Sequence, residues 1–442
     1  MNLAPSADVI IIGGGPAGAS AAAVLAERGR RVTLLEKSRH PRFHIGESLL
    51  PANLPVFQRL GIAAEVRAVG LPKWGVEFHS PSHDHTQSFR FADSWRKDQP
   101  HAYEVRRSEL DAALIRRAGQ LGAQVLEGCR AREVELLADG VRVEAEHESG
   151  ERTAYHASYL IDASGRDTFL ANRLGTKRRN RRHNSSAIYA HFSGAWRHED
   201  PQRAGDISIF WFEHGWFWYI PLADGVTSVG AVVWPYYMKR RSRPVAEYFL
   251  ETIALCPPLA ERLKDAKLVT DVEATGNYAY RCTRASGERF LLIGDAYTFI
   301  DPVFSSGVYF ATVTGCAAAE ALDECLLAGK RRARAFRRFE RISRHGPKSF
   351  SWFIYRMTSP AMRDLFMAPR NVLRIKEALL SLLAGDIYGT TPIWAALRAF
   401  KLIYYIHTLA HPRRSLAALR ARVSNIRPID RPGEAGRAAA GG

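Results

Sequence analysis

The sequence predicts an α/β fold, in which a doubly wound sheet is interrupted by an inserted antiparallel sheet and followed by a helical region. Three observations support this prediction. Asp8–Ile12, a glycine turn, a small-residue segment and a second apolar run ending at Glu36 follow the order of a βαβ unit. Residues 184–234 alternate aromatic, small and β-branched side chains, as antiparallel strands do. From Tyr309 onward the pattern becomes helical.

Each element of the first unit has a local cause. Asp8–Ile12 is a short β-branched apolar run, which is typical of a buried parallel strand. Ala19–Arg28 is rich in small residues and ends at Gly29, which predicts a helix with a glycine at its end. Arg31–Glu36 is again apolar and predicts the second strand.

The remaining predicted elements follow along the chain. Further strands of the first sheet are predicted at Gln124–Leu126, Tyr159–Ile161 and Phe290–Ile293. The last two run into Gly/Asp-rich turns, where doubly wound sheets present ligand-binding loops. The inserted sheet is predicted to contain Ala187–Phe192, Ile207–Phe212, Trp216–Pro221 and Thr227–Trp234. Thr391-Pro392 predicts a helix N-cap and first helical residue, and Pro428–Gly442 predicts a frayed tail.

The turn Gly13-Gly14-Gly15-Pro16-Ala17-Gly18 is a GxGxxG motif between a strand and a helix. Its glycines allow a tight turn, a close approach to a pyrophosphate and close packing of helix on strand. The helix N-terminus offers free N–H groups to the phosphates. Glu36 ends the next strand, where its carboxylate can accept hydrogen bonds from ribose hydroxyls. We therefore predict a dinucleotide site that includes Gly13, Gly15, Ala17, Gly18, Glu36 and Lys37.

A second motif, Gly294-Asp295-Ala296, follows the apolar run Phe290–Ile293. The glycine allows the backbone to come close to a ligand, and the neighbouring Asp295 carboxylate can then bind a second ribose or a ribityl chain. The alternative is a simple helix N-cap, a position that aspartate favours. Because the two motifs lie about 280 residues apart, the cofactor domain is predicted to be discontinuous.

Together with Asp162-Ala-Ser-Gly165, these motifs resemble the FAD-dependent monooxygenase superfamily of p-hydroxybenzoate-hydroxylase type. The resemblance implies a Rossmann-like FAD-binding domain, with Asp295 and Arg107 as FAD contacts. Arg107 lies in Val105–Asp111, which is similar to the arginine-bearing segment of that group. The predicted domains are an FAD-binding domain (1–80, 102–172, 270–328), a substrate-side β-sheet domain (81–101, 173–269) and a basic helical C-terminal region (329–442).

Trp216-Phe-Trp-Tyr-Ile-Pro221 is a complete WxWxIP motif. Trp216 and Trp218 are two residues apart on a predicted strand, so they point to one face and form a rigid wall. An aromatic core strand would look the same by composition. The ordered motif, however, resembles the signature of flavin-dependent halogenases. In that family the wall separates the flavin from the substrate, so that oxygen is transferred to halide; the resemblance implies this role here.

Three further segments are similar to the same family. Gly46–Pro51 resembles its GESLLP loop, which implies Glu47 and Ser48 near the flavin. Phe299–Gly307 resembles its FxDPxxSxG segment, which implies Pro302 and Gly307 at the flavin and the Ser306 and Gly307 amides at chloride or bromide. Bare N–H groups at a helix start suit an anion.

Lys73, in Pro72–Phe78, resembles the lysine of the family's KxGxxF motif. The resemblance implies that it receives hypohalous acid and delivers halogen to the substrate. A flexible amine stem suits this role, and burial would lower its pKa towards a reactive neutral form. The tryptophan-halogenating branch pairs this lysine with a glutamate, and the sequence does not identify such a partner here.

These resemblances imply a two-component halogenase that uses reduced FAD from a separate flavin reductase, oxygen, and chloride or bromide. Its aromatic substrate would be an electron-rich phenol or pyrrole of secondary metabolism, free or tethered to an acyl carrier protein. Two alternatives stay open. One is a monooxygenase or reductase of the superfamily acting directly on an aromatic or isoprenoid substrate. The other is a flavin-binding protein without turnover.

The charge is strongly asymmetric along the chain. Residues 330–442 contain 23 Lys and Arg against 6 Asp and Glu, which equals the whole net charge of +17. This region could meet an acidic carrier protein or anionic lipid, or be a plain solvated surface; no nucleic-acid partner is expected. No run of 18 apolar residues and no signal peptide are recognised. The five scattered cysteines argue against a disulfide framework or a metal site. A cytoplasmic, peripherally membrane-associated protein is consistent with these features.

Overall fold

The computed structural model describes residues 7–180, 183–276, 279–328 and 332–426; the predicted tail Pro428–Gly442 lies outside them. The strands are β1 (Ala7–Ile12), β2 (Val32–Glu36), β3 (Leu71–Lys73), β4 (Gly75–His79), β5 (Thr86–Arg90), β6 (Ala102–Glu104), β7 (Gln124–Glu127), β8 (Cys129–Leu136), β9 (Val141–His147), β10 (Arg152–Asp162), β11 (Lys177–Arg179), β12 (Ser186–Ser193), β13 (Ile207–Phe212), β14 (Gly215–Pro221), β15 (Val226–Val233), β16 (Lys267–Leu268), β17 (Glu273–Thr275), β18 (Tyr280–Cys282), β19 (Phe290–Leu292) and β20 (Thr298–Phe299). The α-helices are α1 (Pro16–Glu27), α2 (Asn53–Leu60), α3 (Ala63–Val69), α4 (Arg107–Gln120), α5 (Phe169–Arg173), α6 (Pro235–Lys239), α7 (Val245–Ala254), α8 (Pro257–Arg262), α9 (Gly307–Ala328), α10 (Arg332–Ile354), α11 (Pro360–Met367), α12 (Ile375–Leu383), α13 (Trp394–Ala410) and α14 (Pro412–Ile426).

The first sheet contains the predicted βαβ unit. Within the described residues its order is β7-β2-β1-β10-β9-β8, and β19 pairs with β10. The strands β7, β2, β1, β10 and β19 run parallel to their neighbours, whereas β9 and β8 are antiparallel additions. Ile12 pairs with Asp162, and Asp162 with Leu292, so the carboxyl ends of three strands meet at one edge. Ligand-binding loops of α/β sheets lie at this edge; the predicted α/β architecture is confirmed.

Helix α1 packs closely against this sheet because its residues are small. All of it from Pro16 to Ala26 is buried. A Cβ added at Gly18 would lie 1.9 Å from the Gly13 carbonyl oxygen, and one at Gly13 would lie 2.4 Å from the Ala163 carbonyl oxygen. Gly13 also has φ +103°, a conformation that L side chains rarely adopt. Glycine is therefore required at both positions.

The inserted sheet is antiparallel over most of its length. Within the described residues its order is β16-β12-β15-β14-β13-β4-β5, and β17 pairs with β12. The pair between β13 and β4 is parallel, so a strand from the predicted cofactor segment 1–80 joins this sheet. The hairpin of β14 and β15 places Trp218 opposite Gly230. This register determines the space available to the tryptophan.

The C-terminal helices cover one face of the inserted sheet. Trp216 and Trp218 share a buried hydrophobic cluster with residues of α10, α12 and α13, among them Phe350, Leu379 and Phe400. The helical C-terminal region is thereby confirmed, but the predicted start of α13 is wrong. This helix begins at Trp394, because the Thr391 hydroxyl donates to the Asp386 carboxylate instead of capping the helix.

The described residues contain neither a helix that could cross a membrane nor a metal-binding cluster. None of their helices has the length and apolar character needed to cross a membrane. No group of three or more His, Cys, Asp or Glu side chains among them is arranged to hold a metal ion. All five cysteines are free and buried.

Candidate active site

A cavity of about 790 Å³ lies between the two large sheets. Its volume is within the range of about 300–1,000 Å³ that is typical of cofactor and ligand sites. The predicted site residues on its lining are Gly13, Gly15, Ala17, Glu36, Lys37, Ser48, Arg107, Trp216, Trp218, Asp295, Pro302, Ser306 and Gly307. Three predicted residues are not on the lining, namely Gly18, Glu47 and Lys73. Gly18 instead serves the close packing of α1 on the glycine turn.

One end of the cavity fits the adenosine diphosphate part of FAD. The N-terminus of α1 faces it through Gly15 and Ala17, and no atom nearer than 3.7 Å would meet a Cβ at Gly15. Glu36 accepts hydrogen bonds from the Gly14 amide (2.6 Å) and the Ser38 amide (2.8 Å), which fix its carboxylate at the end of β2. The remaining lone pairs of its oxygens are available to ribose hydroxyls.

Arginines add positive charge to the cavity. Arg42, Arg130, Arg132, Arg166 and Arg173 all lie on the lining. Guanidinium groups suit the oxygens of a diphosphate. Sequence reasoning missed these residues because they come from four unrelated segments, and only the fold brings them to one cavity.

Arg107 and Asp295 lie on the middle part of the lining. Arg107 donates two hydrogen bonds to Asp111, at 2.8 and 2.9 Å, and one to the Ile45 carbonyl oxygen at 2.8 Å, so its side chain is held in one position. Burial raises the pKa of Asp295 to about 6, although Arg166 and Arg107 oppose this shift. A buried carboxylate needs hydrogen-bond donors. The hydroxyl groups of a ribityl chain or ribose would supply them, so these residues fit FAD.

The segment Asp301–Gly307 forms a rigid turn before α9. The Asp301 carboxylate accepts a hydrogen bond from the Val303 amide, and its Oδ2 lies 3.0 Å from Nε2 of His183. Ser305 has φ +54°, an unusual conformation for serine, and a Cβ added at Gly307 would meet open space. The first N–H groups of α9 have no acceptor within the helix. Ser306 and Gly307 lie on the cavity lining, so the partial positive charge of these N–H groups is next to the cavity.

Trp216 and Trp218 form an aromatic wall on the cavity. Both line it from β14, and their ring centroids are 6.2 Å apart. The Trp218 indole N–H donates to the Ser228 hydroxyl at 3.2 Å. A Cβ at Gly230 would lie 2.2 Å from Cζ2 of Trp218, so the absence of a side chain there makes room for the ring. The wall thus depends on a glycine of the neighbouring strand.

Lys73 is buried directly behind the lining. Its side chain is 2% exposed, and Nζ donates to the Ser48 hydroxyl at 2.7 Å and to the Leu49 carbonyl oxygen at 2.9 Å. The Ser48 hydroxyl in turn donates to Oε1 of Glu104 at 3.1 Å. Lys73 Nζ itself lies 3.7 Å from Oε1 of Glu104. Ser48 is the member of this cluster that reaches the cavity.

Burial changes the protonation of both charged members of this cluster. It lowers the pKa of Lys73, although the Glu104 and Asp206 carboxylates oppose the shift. It raises the pKa of Glu104 to about 8, against the effect of Lys73 and Ser48. The Oε2 atom of Glu104 has no hydrogen-bond partner within the described parts of the chain. Both groups are therefore closer to their neutral forms than they would be in water.

Glu47 belongs to a separate buried pair. His191 on β12 lies 3.1 Å from its carboxylate, and both side chains are almost completely buried. This pairing turns the carboxylate towards the inserted sheet. The residue thus ties the Gly46–Pro51 loop to β12.

Comparisons with known proteins agree with this geometry. A family model described as FAD binding domain matches residues 6–338. The 1H-pyrrole-2-carbonyl-[peptidyl-carrier protein] chlorinase of Pseudomonas fluorescens is 32% identical over 409 residues, which are 86% of this chain and 90% of that protein. A flavin-dependent halogenase of Armillaria mellea is 33% identical over 342 residues, covering 72% of this chain and 67% of that one. The chain belongs to the flavin-dependent halogenase family. It is an FAD-binding oxidoreductase.

The fold of this halogenase is also that of a solved relative. The myxobacterial chondrochloren halogenase superposes with a TM-score of 0.77 at 31% identity, over 91% of this chain and 97% of that one.

Two features of the halogenase site were not predicted from its sequence. Glu104 is separated from Lys73 along the chain, and the antiparallel pairing of β3 with β6 brings them together. Gly230 makes room for the Trp218 ring only because the β14–β15 register pairs these two residues. No strand is predicted from the sequence at Ala102–Glu104, and a single glutamate carries no specificity by itself, so no sequence signal pointed to Glu104.

Proposed function

We propose that this halogenase oxidises chloride or bromide in the cavity and delivers the halogen to an electron-rich aromatic through Lys73. The observation that carries the proposal is the burial of Lys73 against Ser48, a residue of the cavity lining. When bound in its reduced form, FAD would supply, with O₂, the oxidising oxygen that converts halide into hypohalous acid. Gly13, Gly15, Ala17, Glu36, Lys37, Arg107, Asp295 and Pro302 would hold the cofactor.

The N–H groups of Ser306 and Gly307 would bind the halide. They stand at the start of a 22-residue helix, where unsatisfied donors and the helix dipole favour an anion. Asp301 and His183 support the turn from behind. The wall of Trp216 and Trp218 would keep the organic substrate away from the oxidant, so that only the small hypohalous acid passes.

Lys73 would transfer the halogen in one of two ways. Its neutral amine can react with HOX to give an N–X bond and water, and the aromatic then takes X in exchange for a proton. Alternatively, the ammonium can donate a hydrogen bond to HOX, which polarises the O–X bond while the aromatic attacks X. Because burial lowers the pKa of Lys73, the neutral amine is more accessible than that of a lysine in water. Ser48 would pass protons between Lys73, Glu104 and the cavity.

We further propose a substrate and partners for this reaction. The similarity to a chlorinase of carrier-bound 1H-pyrrole-2-carbonyl favours a pyrrole or phenol tethered to a carrier protein. A separate flavin reductase would provide reduced FAD, since the sequence has one dinucleotide motif. The buried free cysteines suit a cytoplasmic protein. The basic C-terminal region would allow peripheral contact with a membrane.

Reconstitution tests this proposal. The protein is incubated with FAD, a flavin reductase, NADH and oxygen, with or without bromide, and with free pyrrole-2-carboxylate, its carrier-bound thioester and a panel of phenols. The expected product is a brominated carrier-bound pyrrole, formed only with bromide and identified by its isotope pattern. Bromination of free phenols alone would contradict the carrier-bound substrate. A hydroxylated product formed without halide would show a monooxygenase.

A further inference from the structure

Helix α13 exposes a stripe of large apolar side chains. Leu402, Tyr405, Ile406 and Leu409 are all exposed, and Leu402 and Leu409 have 61% and 77% of their surface accessible. Their spacing of i, i+3, i+4 and i+7 places them on one side of the helix. The opposite side is buried through Phe400 and Tyr404. The stripe is therefore the outer face of a packed helix.

Helix α14 repeats this arrangement. Leu416, Leu419 and Val423 are exposed, with a spacing of i, i+3 and i+7. Arg414 ties the start of the helix to α11 through a 2.7 Å ion pair with Asp364. The seven exposed side chains Leu402, Tyr405, Ile406, Leu409, Leu416, Leu419 and Val423 are called the α13–α14 face below.

The charged side chains that α13 and α14 themselves carry are all basic. Residues 392–426 include six Lys and Arg and no Asp or Glu. Arg398, Arg413 and Arg420 are exposed. The Asp364 carboxylate of α11, next to this face, is already paired with Arg414. Exposed aliphatic stripes flanked by cations are typical of helices that lie in the interface of an anionic bilayer.

We infer that the α13–α14 face docks the protein on an anionic lipid surface. The apolar stripes would enter the boundary between headgroups and acyl chains, while the arginines meet lipid phosphates. A bilayer accepts long aliphatic side chains without a matching pocket, and Leu409, the most exposed leucine of the face, has 77% of its surface accessible. The inference does not depend on the halogenase reaction.

Because Phe400 and Tyr404 belong to the cluster that contains Trp216 and Trp218, docking would bring the helical layer above the aromatic wall next to the lipid.

Co-sedimentation of the full chain with vesicles tests the inference. The protein is expected to sediment with phosphatidylcholine vesicles that contain phosphatidylglycerol, and much less with phosphatidylcholine alone or at high salt. The variant Leu402→Asp/Ile406→Asp/Leu409→Asp is expected to bind at least about tenfold more weakly. Replacing Arg398, Arg413 and Arg420 by Gln should weaken binding by about fivefold for each arginine removed.

A matched control is Leu250→Asp/Leu255→Asp, because these two leucines are also exposed but lie at α7. It should sediment like the wild type, and circular dichroism and FAD content show that each variant is folded. Equal loss in the control, or no sedimentation of the wild type with anionic vesicles, would overturn the inference.

Other occupants of the face give different results. A dimer that the α13 variant converts to a monomer in sedimentation velocity would assign the face to a second copy. Binding of an acidic carrier protein that the same variant abolishes, without vesicle binding, would assign it to that protein. Vesicle binding that appears only after removal of residues 427–442 would show that this segment covers the face. Each of these outcomes contradicts a lipid-docking face in the intact protein.

Discussion

The Lys73 ammonium donates a 2.7 Å hydrogen bond to the Ser48 hydroxyl, and the hydroxyl reaches the cavity while the ammonium lies behind it. The same hydroxyl donates to Oε1 of Glu104, which also lies 3.7 Å from Lys73 Nζ, while Oε2 of this carboxyl group has no hydrogen-bond partner among the described residues. A lysine, a serine and a glutamate thus form one buried hydrogen-bonded cluster next to the cavity.

Glu104→Gln should shift the pH dependence of halogenation. Above its own pKa of about 8, Glu104 is a carboxylate and favours the charged ammonium, so its removal lowers the pKa of Lys73 further in that range. If the neutral amine is the reactive form, activity rises as pH increases through that pKa. The rising limb of the kcat/KM profile should therefore move to lower pH. The exposed Glu109→Gln serves as control, and an unmoved profile in Glu104→Gln would argue against coupling of the two groups.

Asp295→Asn should weaken FAD binding by about tenfold, the effect of losing a hydrogen bond to a charged group. Because burial raises the pKa of Asp295 to about 6, the wild-type carboxylate becomes protonated below that pH and loses acceptor strength. The FAD Kd of the wild type should therefore increase as pH falls through about 6, whereas that of Asp295→Asn should stay flat. Fluorescence titration measures both, with the exposed Asp265→Asn as control. A parallel pH dependence in Asp295→Asn would contradict this role.

Asp301→Asn should raise the halide KM by about tenfold and leave kcat at saturating halide nearly unchanged. The substitution weakens the contact with His183 that supports the Ser306 and Gly307 amides. Steady-state rates against bromide concentration provide the measurement. Asp139→Asn, on the surface, is the control. An effect confined to kcat would show that Asp301 does not act through halide binding.

Gly230→Ala should destabilise the protein by about 1–3 kcal/mol, the usual cost of overpacking. Its Cβ would lie 2.2 Å from the Trp218 ring. The double variant Gly230→Ala/Trp218→Phe should recover much of this loss, because the smaller ring leaves space. Gly119→Ala is the control, since its Cβ would meet only an ordinary contact at 3.8 Å. Denaturant unfolding compares the four proteins, and full stability of Gly230→Ala would refute the packing argument.

Local signals explain what the sequence could predict. The order strand, glycines, helix, strand and acid predicts the βαβ unit because each element needs only its own residues. The position of Asp295 after a strand and the shared face of Trp216 and Trp218 are predictable for the same reason. Long-range pairings are different. The contact of Glu104 with Lys73 and the fit of Gly230 under Trp218 depend on strand register, and the wrong start of α13 depends on the contact of Thr391 with Asp386.

The most direct test separates halide oxidation from halogen delivery. With FAD, a flavin reductase, NADH, oxygen and bromide, monochlorodimedone traps free hypobromous acid, and mass spectrometry detects the brominated aromatic. In Lys73→Met, bromide-dependent trapping should persist while bromination of the aromatic falls by about 100-fold or more, the range of a lost proton-transfer group. Bromination by Lys73→Met at the wild-type rate, or hydroxylation without bromide, would contradict delivery through Lys73.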